Sequence, residues 1–270
     1  MSDTLFSVEG KVAVVTGGLG QLGRQFCLAL ASRKARVVCM DRRTPAELVE
    51  MRFGALAAEM LFVEADVTKR ASLEEALKTI EAKFGTPEIL VNNAGLDSPP
   101  GAPASETGPF EDYPESSWDK VMEVNLKGVF LCCQVFGGAM AKAGRGSIIN
   151  ISSIYGVVSP DQRIYEFRRK EGVPFNKPVA YSASKSGILN LTRYLATYWA
   201  PRGVRVNTLT FAGVANNQPK EFLAGYEPKV PLGRMAREDE YNGAIVFLSS
   251  DASSYMTGSN MILDGGFTAW

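Results

Sequence analysis

The chain has 270 residues, 46% hydrophobic and 21% charged, with 29 lysines plus arginines balanced by 29 aspartates plus glutamates. That length suits one large α/β domain with an ample core, and the balanced charge gives no sign of a nucleic-acid or acidic-membrane surface. Histidine is absent, which removes the commonest metal ligand and the usual Ser-His or Cys-His machinery. No metal site is therefore expected, and proton chemistry has to run on Tyr, Lys, Asp or Glu.

The start of the chain, Met1 to Ser7, shows no basic region followed by an apolar stretch, so no secretory signal is expected. No apolar run approaches the roughly 18 residues of a bilayer span, and the expectation is a soluble cytoplasmic protein. Cys27, Cys39, Cys132 and Cys133 lack CxxC spacing and sit in apolar segments, which reads as small buried core residues.

Val12 to Thr16 is a short apolar run ending in glycines, the pattern of a buried parallel strand. Leu22, Phe26, Ala29 and Leu30 then recur at helical spacing. Arg36 to Met40 reads as a second strand and Met60 to Ala65 as a third. Leu73, Ala76, Leu77, Ile80 and Phe84 form an amphipathic helix stopped by Gly85 and Pro87. Strand four is Glu88 to Asn92, followed by a helix over Ser117 to Lys142 and a fifth strand over Ser147 to Ile151. The helix starting near Ala180 is expected to turn Ile188, Leu191, Leu195 and Tyr198 inward. Val204 to Leu209, a helix around Asp239 to Ser249, and a last strand at Asn260 to Leu263 complete the chain. This alternation implies a single-domain Rossmann-type doubly wound parallel sheet of about seven strands, with ligands at the carboxyl ends of the strands.

The first strand runs into Thr16 and a turn in which Gly18, Gly20 and Gly23 satisfy G-x-G-x-x-G, with a strand before and a helix after. Glycines there let the backbone approach a pyrophosphate at the positive end of a helix. Asp41 closes the second strand roughly 20 residues on, the spacing of an acid that grips ribose hydroxyls. A carboxylate would repel a 2′-phosphate, so NAD is expected and NADP is the weaker candidate, although Arg42 and Arg43 soften that preference. Farther along, Tyr181 and Lys185 fall one turn apart on a helix. An ammonium beside a phenol favours the phenolate, and such a pair is a proton-transfer device for alcohol–ketone interconversion.

Asp66-Val67 after the third strand, Asn92-Asn93-Ala94-Gly95 after the fourth, Asn125 in VNLKG, Ser153 after the fifth, and Tyr181 with Lys185 follow in order. In this order and spacing the chain resembles the short-chain dehydrogenase/reductases from end to end, down to Asp264-Gly265-Gly266. The resemblance implies Tyr181 as general acid/base, Lys185 lowering its pKa and holding the nicotinamide ribose, Ser153 bonding the substrate oxygen, and Asn125 anchoring a water. Spacing alone leaves Ser152 and Ser153 open; the resemblance favours Ser153. It further implies a cofactor wall of Gly17, Gly20, Gln21, Leu22, Asp41, Asp66, Val67, Asn92, Asn93, Ala94, Gly95 and Val214. Gln21 departs from the compact members' glycine. Phe211-Ala212-Gly213 replaces Pro-Gly, and Asn216 stands where a threonine is common.

Two segments are longer than in compact relatives, 97–117 and 160–178, and both leave strand ends where the substrate enters. Arg163, Arg168 and Arg169 in the second are candidates for recognising an anionic or polyhydroxylated substrate, since guanidinium suits carboxylate and phosphate. A solvated loop or a subunit contact is the alternative. PDQRIY, LTRYLATYWA and the final SDASSYMTGSNMILDGGFTAW resemble a subgroup found with surface-sugar and flagellin-glycan biosynthesis. The resulting expectation is an NAD-dependent oxidoreductase of a sugar, sugar acid or sugar phosphate, with a small molecule as its ligand. The resemblance also implies a homo-oligomer, a tetramer or dimer, in which Phe267 and Trp270 pack across an interface or remain free. A 3-oxoacyl or other ketone reductase using NADPH, or a non-catalytic NAD-binding relative, are the competing readings.

Overall fold

A computed structural model describes residues 4–98, 101–172 and 175–270. The first three residues of the leader reading, and Pro99, Pro100, Val173 and Pro174 of the two long segments, lie outside the described residues. Seven parallel strands form one sheet in the order β3-β2-β1-β4-β5-β6-β7. They are β1 (Val12–Thr16), β2 (Arg36–Asp41), β3 (Leu61–Glu64), β4 (Ile89–Asn92), β5 (Gly146–Ser153), β6 (Val204–Phe211) and β7 (Asn260–Leu263). The order reverses between β1 and β4, and a crevice opens there at the carboxyl ends.

Each face of the sheet carries one apolar layer. The register aligns Val38, Val14, Leu90, Ile148 and Val206 across five strands. All five lie on one face, under the helices Arg70–Phe84, Glu115–Ala143 and Val179–Trp199. Their neighbours Cys39, Val15, Val91 and Ile149 point to the other face, under the helices Gln21–Ala31 and Asn242–Ser249. Burial of a valine, leucine or isoleucine contributes about 1.5–3 kcal/mol, which explains why strands covered on both faces read as continuous apolar runs. All four cysteines are buried and unpaired within these layers.

Several boundaries shift by a few residues from the sequence expectation. β5 and β6 extend to Ser153 and Phe211, which brings Ser152 and Ser153 into regular strand. The last helix begins at Asn242 rather than Asp239. Tyr198 does not turn inward: it is 55% exposed, and Trp199 is buried in its place. The buried positions Ile188, Thr192, Leu195 and Trp199 keep one helical phase, while Tyr198 stacks on Tyr194 at 6.1 Å and carries Arg202 over its ring.

Glu115–Ala143 spans 29 residues and is apolar enough by composition to cross a bilayer, although polar and charged residues break it into short apolar runs. Val121, Val129, Phe136 and Met140 bury it against the sheet, as befits a core helix. Two π-turns interrupt it, Glu123–Lys127 and Cys133–Gly137. Such turns recur at functional sites, and the first one contains Asn125.

One register row beyond the apolar stripe, the same face turns polar. Asn92 donates to Asn150 Oδ1 at 2.8 Å, and Asn150 donates to Thr192 Oγ1 at 2.9 Å. Thr208 donates to the same Thr192 oxygen at 2.8 Å. This buried ladder pins β4, β5 and β6 to the helix Val179–Trp199, just below the strand ends. Replacing Asn150 by leucine keeps the branched shape but removes the oxygen acceptor of the Asn92 amide, which retains Cys133 Sγ at 3.4 Å, and one of the two donors to the Thr192 hydroxyl. At about 0.5–1.5 kcal/mol for each hydrogen bond lost, urea unfolding of Asn150→Leu is expected to show a loss of about 1–3 kcal/mol. A shift below about 0.5 kcal/mol would remove the ladder from the stabilising interactions.

Candidate active site

The glycine turn is tied to the switch point by Thr16. Its hydroxyl accepts from the backbone N–H groups of Asn93 at 3.0 Å and Ala94 at 2.9 Å. The Asn93 amide donates back to Thr16 O at 3.0 Å and Gly17 O at 3.2 Å. Gly17 has φ +63°, and a Cβ there would lie 2.9 Å from Ala94 Cα. At Gly23 a Cβ would lie 2.1 Å from Gly17 O. Both glycines are demanded by close backbone approach. The helix Gln21–Ala31 opens on Gly20 with no side-chain cap, so its first turn presents amide dipoles to the crevice.

Above this turn lies a cleft of about 720 Å³. Gly17, Gly20, Gln21, Leu22, Asp41, Asp66, Val67, Asn93, Ala94 and Gly95 form one wall, and Tyr181 and Lys185 lie on the other. The donor set fits a dinucleotide: an uncapped helix start for the pyrophosphate and a carboxylate at the end of β2 for a ribose diol. Asp41 is held in place by the N–H groups of Leu19 at 3.1 Å and Arg42 at 2.8 Å. Asp66 accepts from both the N–H and the hydroxyl of Thr68, at 2.9 and 2.7 Å.

Two expected positions lie outside the cleft lining. Asn92, expected on the cofactor wall, belongs to the buried ladder, because the last residue of β4 points into the core while Asn93 points out. Val214 sits behind the wall, paired with Ala236, and Asn216 reaches the cleft instead. Gln21, the departure from the compact pattern, donates to Ala215 O at 2.9 Å and so joins the glycine turn to the segment after β6.

Tyr181 and Lys185 share one face of the first turns of Val179–Trp199. Lys185 Nζ donates to Ile151 O at 3.0 Å and lies 5.8 Å from the centroid of the Tyr181 ring. Burial pulls the lysine down to about 8, opposed by the charge of Asp97. Burial pushes the Tyr181 phenol up to about 12; a hydrogen bond with Ser153 eases that rise and Asp97 adds to it. The expectation that Lys185 draws the phenol below its ordinary value is thus corrected, since desolvation dominates here.

Ser152 donates to Lys185 O at 2.9 Å and is spent on holding the helix. The Ser153 hydroxyl instead meets Tyr181 and accepts from Tyr155 N at 3.2 Å, which separates two serines that spacing left open. Asn125 is fully buried. Its Oδ1 accepts from Leu96 N at 2.7 Å, and its Nδ2 donates to Leu96 O at 2.8 Å and Ser184 Oγ at 3.0 Å.

Of the two long segments, the first contributes Asp97 to the cleft lining, and the second is joined to the first. Asn176 donates through its N–H to Thr107 O at 2.7 Å and through its amide to Gly108 O at 2.9 Å. The three arginines are turned to local partners. Arg163 forks onto Asp161, Arg168 lies over the Phe175 ring at 4.6 Å, and Arg169 bonds Gln162 O, Phe175 O and Glu166. None of the three lines the cleft. The basic side chain that does approach Tyr181 is Lys177, 5.3 Å from its ring centroid and paired with Asp97. Tyr155, Tyr165 and Tyr226, which no spacing rule singles out, gather beside Tyr181 in a small aromatic cluster. Phe267 closes that cluster against Tyr226 within the same chain, and Trp270 is exposed. Among the described residues no three acids or thiols converge as a metal site.

A family profile described as Enoyl-(Acyl carrier protein) reductase matches residues 20–268. The chain is 34% identical to the D-threitol dehydrogenase of Mycolicibacterium smegmatis over 97% of this chain and 95% of that protein. It is 33% identical to the NAD-dependent glycerol dehydrogenase of Listeria innocua over 98% of this chain and 97% of that protein. Among solved structures, a short chain dehydrogenase from Leptospira borgpetersenii with bound NAD+ superposes with TM-score 0.85 at 34% identity, covering 99% and 96% of the two chains. A gluconate 5-dehydrogenase from Burkholderia cenocepacia in complex with NADP and tartrate gives TM-score 0.84 at 27% identity, covering 99% and 98%. Likeness that runs the full length of dehydrogenases acting on CH–OH groups, over a cleft of this composition, makes the chain a member of the short-chain dehydrogenase/reductase family.

Proposed function

We propose that the protein is an NAD-dependent dehydrogenase that converts a secondary alcohol of a sugar-like compound (a sugar, sugar acid or sugar phosphate) to the ketone, and the reverse. One observation carries this reading: the Tyr181 phenol, bonded to Ser153 and flanked by Lys185, faces a cleft whose far end holds Asp41. In this reading Tyr181 takes the hydroxyl proton, Ser153 holds the same oxygen, and Lys185 donates to the nicotinamide ribose. Asn125, through Leu96 and Ser184, keeps the strand end and the catalytic helix in place. Nicotinamide, when bound, supplies the hydride acceptor and, in its oxidised form, a positive charge near the phenol. The NAD-dependent glycerol dehydrogenase and the NAD+-bound structure among the relatives support the cofactor assignment. The NADP-bound gluconate 5-dehydrogenase shows that relatives of this fold use the other cofactor too.

An acyl-thioester reductase is the second reading, favoured by the description of the matching family profile. Asp41 weighs against it, since such reductions more often draw on NADPH. We also place the enzyme in the cytoplasm, in keeping with four unpaired cysteines. As a further part of the reading it is a homo-oligomer, a tetramer or dimer. Support comes from Phe130, 43% exposed, in a groove of about 940 Å³ that Leu126, Leu191 and Met122 also line.

Tyr181→Phe is expected to lower kcat/KM by about 10²–10⁴-fold, the usual worth of a positioned acid/base, with NAD+ affinity within about threefold of the parent. Because the phenol starts near 12, its base form grows as pH rises, so kcat/KM for oxidation should climb between about pH 6 and pH 9. A flat profile would remove Tyr181 as the base. Asp41→Asn is expected to raise kcat/KM with NADP+ relative to NAD+ by about tenfold, and an unchanged ratio would detach Asp41 from cofactor choice. Sedimentation should show an oligomer that Phe130→Glu reduces to smaller species, whereas a monomeric parent would end the assembly reading.

A further inference from the structure

The cleft lining includes a carboxylate that none of these roles uses. Asp97 stands at the head of the first long segment and lines the cleft, with its side chain 58% exposed. Both of its oxygens are held by Lys177 Nζ from the second segment. Lys177 is only 11% exposed, and its ammonium lies against the ring of Tyr181. The buried partner is therefore the cation, and the group offered to the cleft is the carboxylate. An ionised carboxylate has about four acceptor directions, so those not taken by one ammonium remain open to donors. The arginines that would suit an anion are turned to Asp161, Phe175, Gln162 and Glu166, away from the cleft.

We infer that Asp97, fixed by Lys177, is the specificity determinant of this enzyme. It accepts hydrogen bonds from hydroxyls adjacent to the carbon being oxidised, so the substrate is a neutral polyol or sugar rather than a sugar acid or sugar phosphate. The inference rests on the dehydrogenase reading above and narrows its substrate class. Hydroxyl-to-carboxylate bonds are short and roughly twice as strong as neutral ones, and only a polyhydroxylated ligand supplies several of them. A carboxylate or phosphate brought to the same place meets like charge next to a phenol already crowded by burial. Lys177 serves as a positioning residue: it removes the rotational freedom of the Asp97 side chain.

The test compares NAD+-linked oxidation of D-threitol, glycerol and galactitol with that of gluconate and glycerol 3-phosphate, in the parent, Asp97→Asn, Lys177→Met and Asn176→Ala. The parent should favour the neutral set in kcat/KM by at least about tenfold. Asp97→Asn should raise KM for the polyols by about tenfold or more, with kcat and NAD+ affinity within about threefold. It should also narrow the preference over the anions. Lys177→Met should raise polyol KM in the same direction. Asn176→Ala loosens the joint between the segments without touching the carboxylate and should leave polyol KM within about twofold. Equal losses in Asp97→Asn and Asn176→Ala would reduce Asp97 to a structural role and overturn the inference. A parent that oxidises the anions but not the polyols would overturn the inference while leaving the dehydrogenase reading standing. A parent that oxidises neither set would overturn both.

Discussion

A single buried amide holds the site together. Asn125 closes a two-way bridge with the backbone of Leu96 and donates a third bond to Ser184. Leu96 follows β4, Ser184 lies between Tyr181 and Lys185, and Asn125 itself projects from a π-turn of a core helix. Three elements that line the cleft are thereby fixed relative to one another. The π-turn is the local distortion that lets a long, buried helix aim one amide at a strand end. An α-helical turn would advance the side chain by a different angle and leave these partners unmet. With an apolar residue at 125, the Leu96 N–H and C=O would be stranded at the floor of the cleft, where each costs about 1–3 kcal/mol.

Above that anchor, the chemistry depends on polarity kept dry. The lysine of the pair is lowered and the tyrosine raised by the same burial, so two proton affinities that are nearly equal in the free amino acids are driven apart and the uncharged form of each is favoured. Ser153 meets the phenol while its neighbour Ser152 is used up on the helix backbone. Alternation along a strand accounts for that division of labour, since adjacent residues of β5 face opposite ways. The charged pair at the mouth then acts on this dry site from one side, and Asp97 contributes to the shifts of both Tyr181 and Lys185.

The sheet and the cofactor turn were legible because their signals are local. Strands buried on both faces read as apolar runs, and a helix opening on Gly20 after Thr16 can hardly be another structure. The misreadings share a cause in distant contacts. Tyr198 and Trp199 are both aromatic, and only packing against the sheet decides which faces in. Asn92 and Asn93 are identical in type, and the end of β4 falls between them. The arginines of 160–178 suit an anion by chemistry alone, yet it is Lys177 that approaches Tyr181, and its partner Asp97 lies 80 positions earlier in the chain. No periodicity within 160–178 encodes that pairing.

The joining of the two long segments has a consequence for how such an enzyme diverges. Asn176 satisfies the carbonyls of Thr107 and Gly108, and Lys177 beside it is ion-paired with Asp97 at the head of the first segment. Neither segment is an independent module. A graft of one alone between relatives would leave backbone acceptors unmatched and a charge without its counterion, so inheritance of a new substrate range requires the two to change as a unit. Variation at this mouth is therefore expected to be paired, with insertions near 100 tracking insertions near 170 in length and charge.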